Sequence, residues 1–102
     1  MILARVEGSL IATKKNPKMT GNKFLVVRPL VIDSKEAREF KLGTSTLVVV
    51  DSLGAGVGET VLIVQGSSAR LASDNKDSPV DAIVIGIVDT VDLGKNTLYR
   101  AE

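Results

Sequence analysis

The residues that could carry chemistry are serines, lysines and carboxylates, because the 102-residue chain has neither histidine nor cysteine. No Ser–His or Cys–His nucleophile pair can form, and no zinc site built on histidine or cysteine. Ser67 and Ser68 stand where an active-site serine could lie. The nucleophile elbow, however, reads G-x-S-x-G and needs a base, whereas this string is G-S-S-A-R. We interpret the serines as caps of a short helix, and we predict no catalytic residue, no cofactor site and no metal ligand.

The second candidate for a functional site is a glycine-rich string, which could bind a nucleotide or a phosphate. It comprises Gly54, Ala55, Gly56, Val57 and Gly58. A dinucleotide-binding loop reads G-x-G-x-x-G and opens a helix, and a phosphate-binding P-loop ends in Lys-Ser or Lys-Thr. Here the spacing is G-x-G-x-G and a strand is expected to follow. The string therefore predicts a tight turn, or a place where the backbone packs too closely for a Cβ. Several copies of such a loop could also converge around a symmetry axis.

The carboxylates suggest structural roles. Asp74 and Asp77 share a loop, but the glycine and terminal glutamate of a calcium-binding EF-hand are missing. Asp81 is singled out because it stands at the entrance of an expected strand. A carboxylate there can accept backbone N–H groups or pair with Arg70.

The basic loop that contains Lys14, Lys15 and Asn16 is the one candidate for binding nucleic acid. It has no aromatic residues between its lysines, and the chain has only three aromatic residues in all. Thirteen basic and twelve acidic residues give a formal charge of +1, without the basic excess of a nucleic-acid binder. We therefore interpret it as a solvated loop, which around a symmetry axis would form a ring of positive charge.

The composition indicates one small domain, residues 1–102, with an aliphatic core. Valine, isoleucine and leucine make up almost a third of the chain, and some of these side chains could be buried against another subunit. No apolar run is long enough for a transmembrane helix, and residues 1–5 lack the pattern of a signal peptide. We therefore expect a cytosolic protein that does not bind membranes.

Short runs of β-forming residues alternate with turn signals. We expect strands at 1–13, 23–33, 46–51, 60–65, 81–92 and 97–100, with bends at Gly8 and Gly86 and an edge position or bulge at Pro29. The run 60–65 is almost wholly apolar, which predicts cover on both faces. Residues 34–41 are expected to form a helical turn or a long hairpin loop in solvent, and residues 66–72 a short helix.

This order predicts an all-β fold: a small five-stranded OB-like barrel with one short helix and a short C-terminal strand. The usual OB-fold carries its helix after the third strand, whereas here it is expected between the fourth and fifth. A small sandwich is the alternative fold.

Several strings, in order along the whole chain, resemble the sequences of one protein family. They are M-I-L-A-R-V-x-G from residue 1, K-K-N-P-x-M-x-G-x-K-x-L-V-V from 14, D-S-L-G-A-G-V-G-E-x-V-L from 51, G-S-S-A-R from 66, and P-V-D-A-x-V-x-G-I-V-D from 79. The chain resembles the CcmL/EutN family, the vertex proteins of bacterial microcompartments. It departs from the family at Thr60, where many relatives have tryptophan.

The resemblance implies an OB-like barrel that assembles into cyclic homopentamers. Such pentamers cap the fivefold vertices of a polyhedral shell, whose other partners are hexameric or trimeric shell proteins. It also implies a narrow axial pore. Candidates to line the pore or the subunit interface are Gly54, Ala55, Gly56, Gly58, Ser67, Ser68, Arg70 and Asp81, with the loop of Lys14, Lys15 and Asn16 as a second pore candidate.

Two other function classes remain open on the residues alone. One is an OB-fold module for single-stranded nucleic acid, which would need aromatic residues and a basic stripe on one barrel face. The other is a small enzyme or ligand-binding barrel, which would need polar groups converging in a pocket.

Overall fold

The structure, a computed structural model, describes residues 1–11, 17, 23–34, 37–72 and 81–101. It contains eight strands and one helix within those residues. They are β1 (Ile2–Leu10), β2 (Lys23–Val31), β3 (Lys41–Leu42), β4 (Leu47–Asp51), β5 (Thr60–Gln65), α1 (Ser67–Ala72), β6 (Ala82–Ile87), β7 (Thr90–Leu93) and β8 (Asn96–Arg100).

Five of the strands close into a barrel. Their order is β1-β5-β6-β4-β2, and β2 pairs again with β1. All pairs are antiparallel except β4–β6, which run parallel. The predicted OB-like barrel is therefore confirmed, with its helix between the fourth and fifth barrel strands. Closure removes the open edges that a flat sheet of this size would present.

Side chains alternate between the inside and the outside of the barrel. The interior is filled by small and medium aliphatic residues, as the composition predicts. The buried cluster comprises Ala4, Val6, Leu25, Val27, Val49, Ala55, Val61, Ile63, Ala82 and Val84.

The predicted bends in the first and fifth barrel strands are confirmed as irregular pairing. The β1–β2 register shifts between Val6 and Gly8. The β5–β6 register shifts where Leu62 faces Gly86 and Ile63 faces Val84, which leaves one extra residue on β6. Such bulges increase the local twist and curvature of a strand, which a barrel of only five strands requires.

Pro29 lies in a gap between two neighbours of β2. On one side β2 pairs with β4 up to Val27 and with β3 from Leu30. The Pro29 carbonyl accepts from the Gly43 N–H across this gap (2.8 Å). The N–H and C=O of one strand residue point to the same side, and a hydrogen-bonded antiparallel pair exchanges two bonds. Proline can make only one of the two with Gly43, and the Gly43 carbonyl accepts from Arg28 Nη1 instead (2.9 Å). Neither β3 nor β4 pairs with β2 at residues 28–29. Pro29 therefore has the expected edge position over this short stretch, although β2 as a whole lies inside the sheet.

Two expectations about the elements need correction. The expected strand at 81–92 is two strands, because β6 ends at Ile87 and the chain turns at residues 88–89 into β7. There Val88 N–H donates to Thr60 (2.8 Å), and β7 then pairs with β8 in a separate two-stranded sheet. The segment 34–41 is also not wholly solvated, because Ala37 is buried and β3 begins at Lys41.

The short helix α1 lies against the outside of the barrel. It follows Gly66, whose φ is +69°, and the Gly66 N–H donates to the Asp81 carbonyl (2.8 Å). Ala69 is fully buried and packs with Val50 and Ile83 in a second apolar cluster. In the part of the chain that the structure describes, no helix has the length and apolar character needed to cross a membrane.

Candidate functional site

The glycine-rich loop, residues 52–58 between β4 and β5, is organised by Asp51. The Asp51 side chain is fully buried at the end of β4. Its Oδ1 accepts the Leu53 N–H at 2.9 Å and its Oδ2 accepts the Ala55 N–H at 2.8 Å. A carboxylate that accepts backbone N–H groups two to four residues on holds the chain in a turn, so Asp51 fixes the first half of the loop.

Lys23 offsets the charge of that buried carboxylate. It faces Asp51 in the β2–β4 register, and its Nζ lies 3.8 Å from Asp51 Oδ2. The same Nζ donates to the Ala55 carbonyl at 3.2 Å. The ammonium therefore bridges the strand end and the loop, while about half of its side chain stays in solvent.

Glu59 fixes the second half of the loop. Its Oε1 accepts the Gly56 N–H at 2.6 Å, and its own N–H donates to the Gly56 carbonyl at 3.1 Å. The Gly58 N–H donates to Val6 at 2.8 Å, and the Val6 N–H donates to Glu59 at 2.9 Å. Gly54 and Gly58 have φ of +86° and +90°, a backbone region that favours glycine.

These bonds show what the loop can do chemically. The N–H groups of Leu53, Ala55, Gly56 and Gly58 are all used by acceptors of the chain itself. A phosphate-binding loop needs such groups free to point at an anion. The structure therefore shows the tight turn that the sequence predicts, and no phosphate cradle.

The loop presents apolar side chains outwards. Leu53 is 50 % exposed and Val57 is 71 % exposed. Gly54 and Gly58 are also on the surface, and Gly56 is half-buried. Ala55 differs from the rest because its side chain is 1 % exposed and packs in the barrel core.

The other candidate residues lie around α1. Ser67 and Ser68 begin the helix and are exposed. Asp81 is exposed as well, and among the described residues its carboxylate makes no hydrogen bond or ion pair. Its link to the helix is its carbonyl, which accepts from Gly66. The expected carboxylate bonds to backbone N–H groups stay a prediction, because residues 73–80 lie outside the described residues. The side chain of Arg70 lies outside the described part of the chain, and so does its expected pairing with Asp81.

The candidate pore residues Lys14, Lys15 and Asn16 also lie outside the described residues. Among those that are described, no group of three or more acidic residues is placed to hold a metal ion.

Sequence reasoning did not single out Asp51 and Glu59, although they stand at the two ends of the glycine-rich loop. The signal that could have found them is the placement of one acid directly before the glycine-rich loop, residues 52–58, and one directly after it. Acidic side chains next to a glycine turn commonly accept its backbone N–H groups.

A small cleft separates the glycine-rich loop from the end of β8. It has a volume of about 390 Å³. Its acid, Glu59, is already bonded to Gly56, so the cleft offers no pair of free groups for acid–base chemistry. It is lined by Val57, Gly58, Glu59, Tyr99, Arg100 and Ala101.

Comparison with known proteins fits this architecture. A family model described as ethanolamine utilisation protein EutN/carboxysome matches residues 1–89. The chain belongs to the EutN/CcmL family. The family resemblance that the sequence strings indicate is therefore confirmed, and the match covers the whole barrel.

Curated relatives of this EutN/CcmL chain match it over most of their length. The carboxysome shell vertex protein CcmL of Synechocystis sp. is 39 % identical over 100 residues, covering 98 % of this chain and 94 % of the relative. The bacterial microcompartment shell vertex protein PduN of Salmonella typhimurium is 44 % identical over 91 residues, covering 89 % of this chain and 98 % of the relative.

Solved structures agree with the fold. CcmL of Gloeobacter violaceus superposes with a TM-score of 0.85 at 38 % identity, covering 98 % of this chain and 97 % of the other. The GrpN pentameric microcompartment shell protein from Rhodospirillum rubrum gives a TM-score of 0.75 at 43 % identity, covering 90 % and 98 %. These relatives are shell proteins, so the comparisons do not favour the nucleic-acid module.

Proposed function

We propose that this chain is a structural shell protein that forms a cyclic homopentamer and caps the fivefold vertices of a bacterial microcompartment. The observation that carries the proposal is the likeness to a protein named as a pentameric shell protein, 43 % identical over 98 % of its length. The vertex names of the curated relatives support the same role.

The surface of the single chain also supports self-association. Eleven large hydrophobic side chains are exposed among the described residues, and four of them are at least 70 % exposed: Met1, Ile11, Val57 and Leu71. Single exposed aliphatic residues are common on monomers, whereas exposed apolar residues that lie next to one another mark an interaction surface. Leu53 and Val57, on one loop, are such neighbours.

The geometry of a closed shell gives the pentamer its task. Hexagonal tiles pave a flat layer, and pentagons introduce the curvature that closes it. A ring of five uses a heterologous interface, in which one patch of each copy meets a different patch of the next and closes at a fixed number. The partners are then other copies of this chain and the hexameric or trimeric shell proteins around the vertex, and the protein is located in the shell.

The role needs no catalysis, cofactor or metal. In the loop that most resembles a binding motif, four N–H groups are occupied by Asp51, Glu59 and Val6. For an axial pore, the candidate linings are the glycines of this loop (Gly54, Gly56, Gly58) or the loop of Lys14, Lys15 and Asn16. Ser67, Ser68, Arg70 and Asp81, around α1, are candidates for the interface.

Native mass spectrometry of the purified chain at low micromolar concentration tests the proposal. Five copies of the 10.8 kDa chain would give a single species of about 54 kDa. A clean monomer would contradict the ring. It would then direct the search to oligonucleotide binding, tested for salt dependence, and to small ligands.

A further inference from the structure

Strands β2 and β4 carry apolar side chains on both faces. On β2, Leu25 points into the barrel core while Val26 is on the outside, and on β4, Val49 points inwards while Val48 is on the outside. An antiparallel strand with one face in solvent normally alternates apolar and polar residues, whereas a continuous apolar run is typical of strands covered on both faces. These two strands therefore have the sequence of covered strands.

The described residues of the chain cover only part of their outer face. Phe24, Val50, Ile83 and Val64 face one another in register across β2, β4, β6 and β5. Ala69 of α1 packs on this row and buries its centre. The helix is six residues long and does not extend over the next row of β2 and β4.

The uncovered part forms a continuous apolar surface, which we call the sheet patch: Gly8, Leu10, Val26 and Val48. Val26 pairs with both Gly8 and Val48, and Leu10 lies one step further along β1 on the same face. Val48 is 50 % exposed and Leu10 43 %. A Cβ on Gly8 would meet nothing within 4 Å, so the patch contains a depression beside Val26.

The sheet patch has the layout of a protein–protein interface. No charged residue lies within it. Its neighbour along the outer face of β2 is Arg28, which makes a 3.1 Å ion pair with Glu7 and donates to the Gly43 carbonyl at 2.9 Å. An apolar centre with a paired, hydrogen-bonded polar rim is the arrangement found in stable interfaces.

A second copy of this chain is the occupant that the observations favour. A protein 43 % identical to it is named as pentameric, and a ring of five must join two different patches. The glycine-rich loop supplies a second, separate patch. It carries Leu53 and Val57 outwards, and residues 52–58 include no charged side chain. Because Asp51 and Glu59 already hold the loop in place, docking it costs little ordering entropy.

We propose that the sheet patch of each copy receives Leu53 and Val57 of the glycine-rich loop of the next copy, and that this contact is the subunit interface of the ring. The inference rests on the proposed function, because it takes the ring as given and assigns its two surfaces.

Paired variants test it. Val48→Asp places a charge on the sheet patch and leaves the loop intact, while Val57→Glu does the reverse. Native mass spectrometry at a concentration where the wild type is a ring should show each variant alone as a monomer. An equimolar mixture should give a two-chain species with one copy of each, because a single intact interface remains. Leu42→Asp, at an aliphatic residue of β3 that is as exposed as Val48 (51 % against 50 %), is the matched control and should keep the ring.

The outcomes separate this inference from the proposed function. A ring that survives Val48→Asp or Val57→Glu, or two folded monomers that do not pair on mixing, would overturn the interface. A monomeric wild type would overturn the ring and the interface together. Formation of the two-chain species itself shows that both variants are folded. Far-UV circular dichroism checks each monomer, and Leu10→Asp replaces Val48→Asp in the same scheme if that variant does not fold.

Discussion

Asp51 is the side chain on which the glycine-rich loop depends. It is buried at the end of β4, accepts two backbone N–H groups of the loop and faces the Lys23 ammonium. A buried carboxylate is costly unless it is paired and hydrogen-bonded, and here each oxygen has a partner. An acid in this position positions the backbone. Such a positioning role fits a structural shell protein.

Replacing Asp51 by asparagine should destabilise the fold. The substitution keeps the size of the side chain but removes the charge, and it turns an NH₂ group towards a backbone donor. Hydrogen bonds to charged groups contribute about 1.5–3 kcal/mol, so we expect the free energy of unfolding to fall by about 2 kcal/mol. Urea unfolding at fixed protein concentration measures it.

The matched control is Asp92→Asn. Asp92 is exposed and accepts one bond, from the Thr97 hydroxyl at 2.8 Å. An exposed substitution of this kind should change the stability by less than about 0.5 kcal/mol. Equal effects at the two positions would contradict the organising role of Asp51.

Thr60 gives a second prediction at this scale. It is fully buried, and within the described residues its Oγ1 has no hydrogen-bond partner. Valine has nearly the same shape and no hydroxyl, so Thr60→Val should raise the unfolding free energy by roughly 1 kcal/mol. Thr60→Ser keeps the hydroxyl and loses a methyl group, and it should lower stability by about 1 kcal/mol. Thermal unfolding of the wild type and the two variants measures this. A lower melting temperature for Thr60→Val than for the other two proteins would contradict it.

At the scale of the elements, the glycines serve two different purposes. Gly58 has a positive φ and donates its N–H to Val6 across the start of the β1–β5 ladder. Gly86 lies inside β6 next to a shift in register, where its backbone is ordinary for a strand. The first glycine permits a turn that other residues strain to adopt. The second accompanies a bulge that the barrel needs for its curvature.

Alanine substitutions should separate these purposes. Gly58→Ala should cost about 1–2 kcal/mol, because an L-residue is strained at a φ of +90°. Gly86→Ala should be neutral or should stabilise by about 0.4–1 kcal/mol, because a Cβ there would lie 3.8 Å from Leu62 Cβ, an ordinary contact. Chemical denaturation of both variants checks this, and a larger loss at Gly86 than at Gly58 would reject it.

At the scale of the whole molecule, the C-terminal hairpin β7–β8 stands apart from the barrel. Its strands pair with each other and not with a barrel strand, and the family model ends at residue 89, just before it. The hairpin is attached by a hydrogen bond from Asn96 Nδ2 to the Ala37 carbonyl (3.3 Å) and by the buried side chain of Leu98. A two-stranded hairpin is marginal in isolation, so its order depends on the barrel, while the barrel closes without it.

A chain that ends at Asp89 should therefore still fold. It keeps every barrel strand and the Val88 bond to Thr60, and it loses the cover that Leu98 provides. We expect a β-type circular dichroism spectrum, cooperative unfolding at a lower midpoint and a pentameric mass. A disordered truncated chain would instead show that the hairpin is part of the folding unit.

Local patterns in the sequence determined most of the barrel and the turn chemistry. The apolar run 60–65 gives β5 at its observed bounds, and the glycine string gives the turn before it. Gly8 and Gly86 indicate where the ladders shift. These features could be predicted because each depends on residues adjacent in the chain: alternation for a strand, and backbone freedom for a turn or bend.

Only the tertiary structure decided which segments meet. The two residues of β3 are too short for any period to reveal, and the turn at residues 88–89 interrupts an apolar run that reads as one strand. Asp51 acquires its role from Lys23, which arrives from another strand. The sheet patch exists because α1 covers one row of the outer face and not the next. Pairing and cover are set by contacts between residues distant in sequence, and no local pattern encodes them.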